Sequence, residues 1–182
     1  GRDHGQPGSP LLYISGTGGD LRNKPNQFDS PLAKDFELIA YDQRGLGQTS
    51  KPAGDYTMQQ YADDAARLLD YLELEQVPVM GVSFGGMVAQ EFILRHPSRV
   101  SRLVLACTSS GGAGRSSYPL HEIEALEPQL RAKTHLEISD LRRDTKWQKE
   151  NRDKWQHYIE FSLASRRADR DTAGAEKQLL AR

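Results

Sequence analysis

Apolar and polar positions alternate between two patterns over the first 110 residues. Short apolar runs at 11–15, 36–41, 77–82 and 102–107 are bounded by Gly, Pro, Asp and Ser, and each predicts a strand. Between them, residues 57–74 repeat Tyr61, Ala65, Leu68, Leu69 and Leu72 at helical spacing, with Asp63, Asp64, Arg67 and Asp70 on the other side. Thr57 is the expected N-cap. Residues 84–95 form a second helical pattern, apolar nearly all round through Met87, Val88, Phe92, Ile93 and Leu94, which predicts a buried helix. His96-Pro97 ends it, because Pro cannot continue the ladder. A weaker segment at 26–33 predicts a short helix. Strands alternating with helices imply an α/β fold: a parallel sheet with helices on both faces.

The pattern changes after Thr108. Residues 109–114 are Ser, Gly and Ala, a flexible crossing, and no further strand-like run follows. Helices are expected at 121–127, 129–138, 145–165 and 171–182, with Trp147, Trp155, Tyr158, Ile159 and Ser162 on one face of the longest. The organisation expected is therefore a core at 1–110 and a helical region at 111–182.

Charge and composition exclude more than they assign. The formal net charge is -1 and the pI about 6.6, which argues against a nucleic-acid or anionic-membrane partner. The aromatic and basic residues between Trp147 and Trp155 are explained by one apolar and one solvated helix face. Cys107 is the single cysteine, so no internal disulfide forms; this fits a reducing compartment, and a cytoplasmic location is expected. No apolar run approaches the ~20 residues of a membrane span. The first residue is Gly1 rather than Met, so the natural start and any targeting segment are expected to be missing.

The chemistry centres on Gly81-Val82-Ser83-Phe84-Gly85, placed between the third strand and the second helix. A sharp strand-to-helix turn needs small residues on both sides of Ser83, and it aims the positive helix end at the hydroxyl. Ser83 is the candidate nucleophile. The backbone N–H groups of Phe84 and of Thr17, in Gly16-Thr17-Gly18-Gly19, are the candidate oxyanion donors. Gly16, Gly18, Gly81 and Gly85 are the supporting loop residues. A dinucleotide loop is excluded because Leu21 breaks Gly-x-Gly-x-x-Gly, and Gly-Lys-Ser/Thr is absent. Asp42 and Arg44 are expected to hold a turn through hydrogen bonds between themselves and nearby backbone. No His, Cys, Asp or Glu grouping has metal-ligand spacing, and Cys107 reads as buried strand packing. Among the histidines, His96 lies at the far end of the helix that Ser83 opens, and His4, His121, His135 and His157 read as surface or packing residues.

Taken together, the loop at 15–19, the segment Tyr41-Asp42-Gln43-Arg44-Gly45-Leu46-Gly47-Gln48-Thr49-Ser50, the elbow at 81–86 and Arg95-His96-Pro97-Ser98-Arg99-Val100 resemble the α/β-hydrolase superfamily, in the right order. The nearest likeness is to its capped lactonase, cofactor-free haloperoxidase and esterase branch. Ser15 stands where the family most often has His. The resemblance implies a helical cap after Ser110, no cofactor, no metal, and a small ester or lactone substrate cleaved through an acyl-enzyme at Ser83. It also implies a chain truncated at both ends, because the family takes its acid and His from later strands. Two alternatives stay open: a catalytically silent or ligand-binding fragment, and cofactor-free perhydrolysis by the same Ser.

Overall fold

The structure, a computed structural model, describes residues 8–111, 122–123, 125–164 and 171–182. Two compact units divide the chain: Gly1–Ser117 together with Asp171–Arg182, and Tyr118–Arg170.

The first unit is built on four parallel strands, β1 (Ser9–Ile14), β2 (Phe36–Ala40), β3 (Val77–Val82) and β4 (Val100–Ala106), in the order β2-β1-β3-β4. From β1 the chain winds outward to β2; from β3 it winds the opposite way to β4. Right-handed crossovers then place α1 (Leu32–Asp35) on one face and α2 (Met58–Tyr71) with α3 (Phe84–Arg95) on the other. The register sets Leu12 beside Val79, Ile14 beside Gly81 and Gly81 beside Leu105. Because the strands are parallel, the loops after β1, β2, β3 and β4 all leave one edge of the sheet, and the reversal of winding falls between β1 and β3.

The core lies between the sheet and α2 and α3. Leu12, Ile14, Val77, Val79, Ala62, Ala65, Leu69, Val88 and Phe92 are fully buried. Each large aliphatic or aromatic side chain withdrawn from water there stabilises the fold by roughly 1.5–3 kcal/mol. Thr57 caps α2 as expected: its hydroxyl accepts from Gln60 N–H, and the Gln60 side chain returns to the Thr57 N–H. In place of one short helix at 26–33, the chain forms a 3-10 turn, Gln27–Asp29, capped by Asn26, and then α1.

Three expectations are corrected. The α3 helix is not buried throughout: its first turns are enclosed, but Leu94 is 78% exposed where the last turn leaves the core. Cys107 is not packed in a strand. It follows β4, is exposed, and has φ +50; β4 is a sheet edge among the described residues, and its end turns away toward Thr108. Finally, the C-terminal helix α7 (Thr172–Ala181), grouped by sequence with the region 111–182, packs with the first unit. Gly174 makes that possible, because a Cβ there would strike the Gly45 carbonyl.

The second unit contains α4 (Pro128–Ser139), α5 (Thr145–Glu150) and α6 (Arg152–Ala164). The expected helix at 145–165 breaks at Asn151, which leaves helical geometry (φ -125, ψ 43) and turns its amide back to the Trp147 carbonyl at 3.0 Å. Asn competes for local backbone in this way and so interrupts a continuous ladder. The aromatic face survives the break: Trp147 meets Trp155 edge-on at 6.5 Å and stacks with Tyr158 at 6.3 Å. Of the helix expected at 121–127, residues 121 and 124 lie outside the described residues; 122–123 are helical, whereas 125–127 form a turn and bend that lead into α4.

Candidate active site

Ser83 sits where β3 becomes α3, with φ 54 and ψ -121. A left-handed φ strains any residue with a side chain, so the surroundings must hold it. They do so from three sides. Ser83 N–H donates to the Ala106 carbonyl at 2.9 Å, while its own carbonyl accepts from Gly86 N–H at 2.9 Å and from the Thr108 hydroxyl at 2.7 Å.

The flanking glycines follow from contact. A Cβ on Gly81 would overlap the Gly85 carbonyl and come within 2.8 Å of the Ala89 Cβ. A Cβ on Gly85 would strike the carbonyls of Ile14 and Ser15 at the end of β1. The elbow therefore lies directly against the loop that leaves β1. Gly16 faces the nucleophile candidate: a Cβ built there would lie 3.3 Å from Ser83 Cβ and 3.8 Å from Ser83 Oγ. Thr17 follows Gly16, and Phe84 opens α3, where the first N–H groups of a helix have no intrahelical acceptor. The two candidate donors are thus the chain neighbours of Gly16 and of Ser83. The Phe84 ring is buried and meets Tyr61 edge-on at 5.1 Å, which fixes the first helical residue.

The loop after β1 is held from outside itself. Gln43 Nε2 donates to the Ser15 carbonyl at 2.7 Å, and Gly18 N–H donates to Gln178 Oε1 at 2.8 Å. Neither glutamine stands out in the sequence: Gln178 is an interior helix residue, and its contact lies 160 positions away. Asp42 is buried and accepts from Leu21 N–H at 2.7 Å and Gln48 N–H at 2.9 Å, so it organises two loops at once. Arg44 does not join it. Its guanidinium forms a two-bond pair with Asp64 of α2, at 2.6 and 2.7 Å, and lies over the Tyr56 ring. The expected turn is therefore split, Asp42 serving the backbone and Arg44 tying the loop to α2.

A base for Ser83 is not found among the described residues of the first unit. His96 Nε2 lies 2.9 Å from Asp63 Oδ1, and it follows the last residue of α3, about 18 Å along the helix at 1.5 Å per residue. His135 and His157 belong to the second unit; His4 and His121 lie outside the described residues. Tyr41 and Tyr61 are buried phenols, and burial pushes both well above their ordinary range, which rules them out as bases near neutral pH. Among the described residues, no three His, Cys, Asp or Glu side chains gather to hold a metal, and no helix is long and apolar enough to cross a membrane.

The parallel sheet, the strained Ser between strand and helix, and the glycine loop opposite it define a nucleophile-elbow architecture. Residues 9–174 match the family described as alpha/beta hydrolase fold, and the chain belongs to it. Over 103 residues it is 43% identical to a poly(3-hydroxyalkanoate) depolymerase of Ectopseudomonas oleovorans, covering 57% of this chain and 36% of that protein. Over 118 residues it is 41% identical to a 2-hydroxymuconate semialdehyde hydrolase of Pseudomonas sp. strain CF600, covering 63% and 40%. Among solved structures, it superposes on BpoC of Mycobacterium tuberculosis H37Rv, provisionally named a non-heme bromoperoxidase, with TM-score 0.70 and 28% identity, covering 97% of this chain and 66% of that one. The chain thus spans well under half the length of these two curated relatives.

Proposed function

We propose that Ser83 is the nucleophile of a serine hydrolase acting on a small ester or lactone. Ser83 Oγ attacks the carbonyl carbon. A His general base takes the hydroxyl proton and returns it to the leaving alkoxide, and an acid orients that His. The N–H groups of Thr17 and Phe84 hold the developing oxyanion; one such donor is worth about 2.7–4 kcal/mol of transition-state stabilisation. Water then releases the acyl group. No cofactor or metal is required. The helical region at 111–182 is assigned the role of the family's cap, and the single Cys107 fits a cytoplasmic setting.

The observation that carries this reading is the strained Ser83 at the N-terminus of α3, with Gly16 against its side chain. The names of the depolymerase and the semialdehyde hydrolase support it. The test is hydrolysis of p-nitrophenyl butyrate and γ-butyrolactone by the intact protein, with fluorophosphonate labelling. Turnover and labelling that Ser83→Ala abolishes are expected. Turnover that survives the substitution would overturn the reading, and a protein that neither turns over nor labels would favour a silent, ligand-binding role. The likeness to BpoC favours perhydrolysis as a second reading; peroxide-dependent bromination of monochlorodimedone, lost in Ser83→Ala, separates it.

A further inference from the structure

We infer that Gln43 and Gln178 are positioning residues that clamp the loop carrying the Thr17 donor, an assignment that rests on the function proposed above. Both side chains are fully buried. One holds the loop at its start, through the Ser15 carbonyl, and the other at Gly18 N–H. Only Gly16 and Thr17 lie between the two grips. A two-residue span fixed at both ends leaves the Thr17 N–H little freedom to turn away from Ser83. Within the loop the backbone offers one longer bond, Gly19 N–H to the Gly16 carbonyl at 3.2 Å, so the external grips carry most of the constraint.

The choice of residue type points the same way. Each glutamine leaves one buried polar atom without a partner among the described residues, Oε1 of Gln43 and Nε2 of Gln178. Burying an unmatched amide group is unfavourable, and Leu or Met would fill either site without it. Core packing alone does not account for the two amides; the two loop bonds do. The helix bearing Gln178 is itself seated by three independent contacts: Gly174 against Gly45, Lys51 with Asp171 at 3.6 Å, and the Lys177 ammonium 4.5 Å from the Tyr56 ring centre. Its position, and so the grip on Gly18, is set by the loop after β2, which also supplies Gln43.

The experiment compares Gln43→Met and Gln178→Met in the intact protein. Methionine matches the volume and removes the unpartnered polar atom, so both variants are expected to fold. Hydrogen exchange in peptides spanning residues 15–21 is read first, since it does not depend on activity, and faster exchange in both variants is expected. Hydrolysis of p-nitrophenyl butyrate is read second. A misplaced donor lowers kcat about tenfold to a hundredfold with KM nearly unchanged. A trifluoromethyl ketone, which forms the oxyanion adduct, loses affinity by the same factor as kcat/KM. Unchanged exchange, or unchanged kcat and ketone affinity despite faster exchange, would overturn the clamp while leaving Ser83 catalysis intact. An unmodified protein without Ser83-dependent turnover would instead overturn the parent reading, and the catalytic role of the clamp with it.

Discussion

Thr108 donates its hydroxyl to the Ser83 carbonyl oxygen at 2.7 Å, and the same side chain fills the space that a Cβ on Gly86 would need. A residue just past β4 thereby braces the elbow that follows β3. Thr108→Val keeps the shape and removes the bond. The Ser83 carbonyl retains Gly86 N–H, so the cost is that of one ordinary hydrogen bond, about 1 kcal/mol. Urea unfolding at constant m-value measures it, and a neutral substitution would show that the brace is steric only.

The close approach of α3 to β1 makes a sharper prediction. Gly85→Ala places a methyl against the carbonyls of Ile14 and Ser15, which are backbone and cannot rotate away. A loss of about 3 kcal/mol or more is expected. Gly54→Ala is the matched control: φ is +84, but no atom lies within 4 Å of the added Cβ, so only the left-handed strain of about 1–2 kcal/mol applies. Equal melting temperatures for the two variants would contradict the packing described.

Acid sensitivity follows from two carboxylates. Hydrogen bonds from Arg95 and then His96 hold the Asp63 carboxyl below the usual range, and Arg142 holds Asp140 down at about 2. A depressed carboxylate stabilises the fold above its unfolded pKa, and that contribution is lost as pH falls through the folded value. Stability should therefore decline between about pH 4 and about 2. Both groups are partly exposed and screened by solvent, so each effect is small. Asp63→Asn and Asp140→Asn should each flatten the stability profile over that acid range and leave its shape near pH 7 unchanged, as followed by thermal melts.

The β4 edge sets a fourth expectation. Val104 is 52% and Leu105 43% exposed on a strand that pairs only with β3 among the described residues. An apolar edge of this kind recruits further strands. Residues 1–182 expressed alone should self-associate, and Leu105→Lys should shift them toward monomer in size-exclusion chromatography. A monomeric parent would show that the edge is covered.

The strands and the elbow were legible in the sequence because they are local. Val77 to Val82, the glycines around Ser83 and the cap at Thr57 each declare themselves within a few positions. The rest depends on contacts far apart in sequence. Nothing near Gln178 signals a partner at Gly18, and nothing near Arg44 signals Asp64 rather than Asp42. Periodicity carried one helix through Asn151, because side-chain competition for backbone does not alter an apolar stripe. Cys107 read as strand interior because its composition matches β4, whereas its φ is set by the turn toward Thr108.

The 160-residue separation between Gly18 and Gln178 also orders events in time. The elbow needs only the chain up to Thr108, so it assembles while synthesis continues. The grip on Gly18 must wait for α7 to emerge. At about 5–20 residues per second, the interval between making Ser83 and making Gln178 is about 5–20 s. During that interval a nascent chain holds its serine in place while the opposing loop is still loose, so the loop beside Ser83 is secured well after the serine itself.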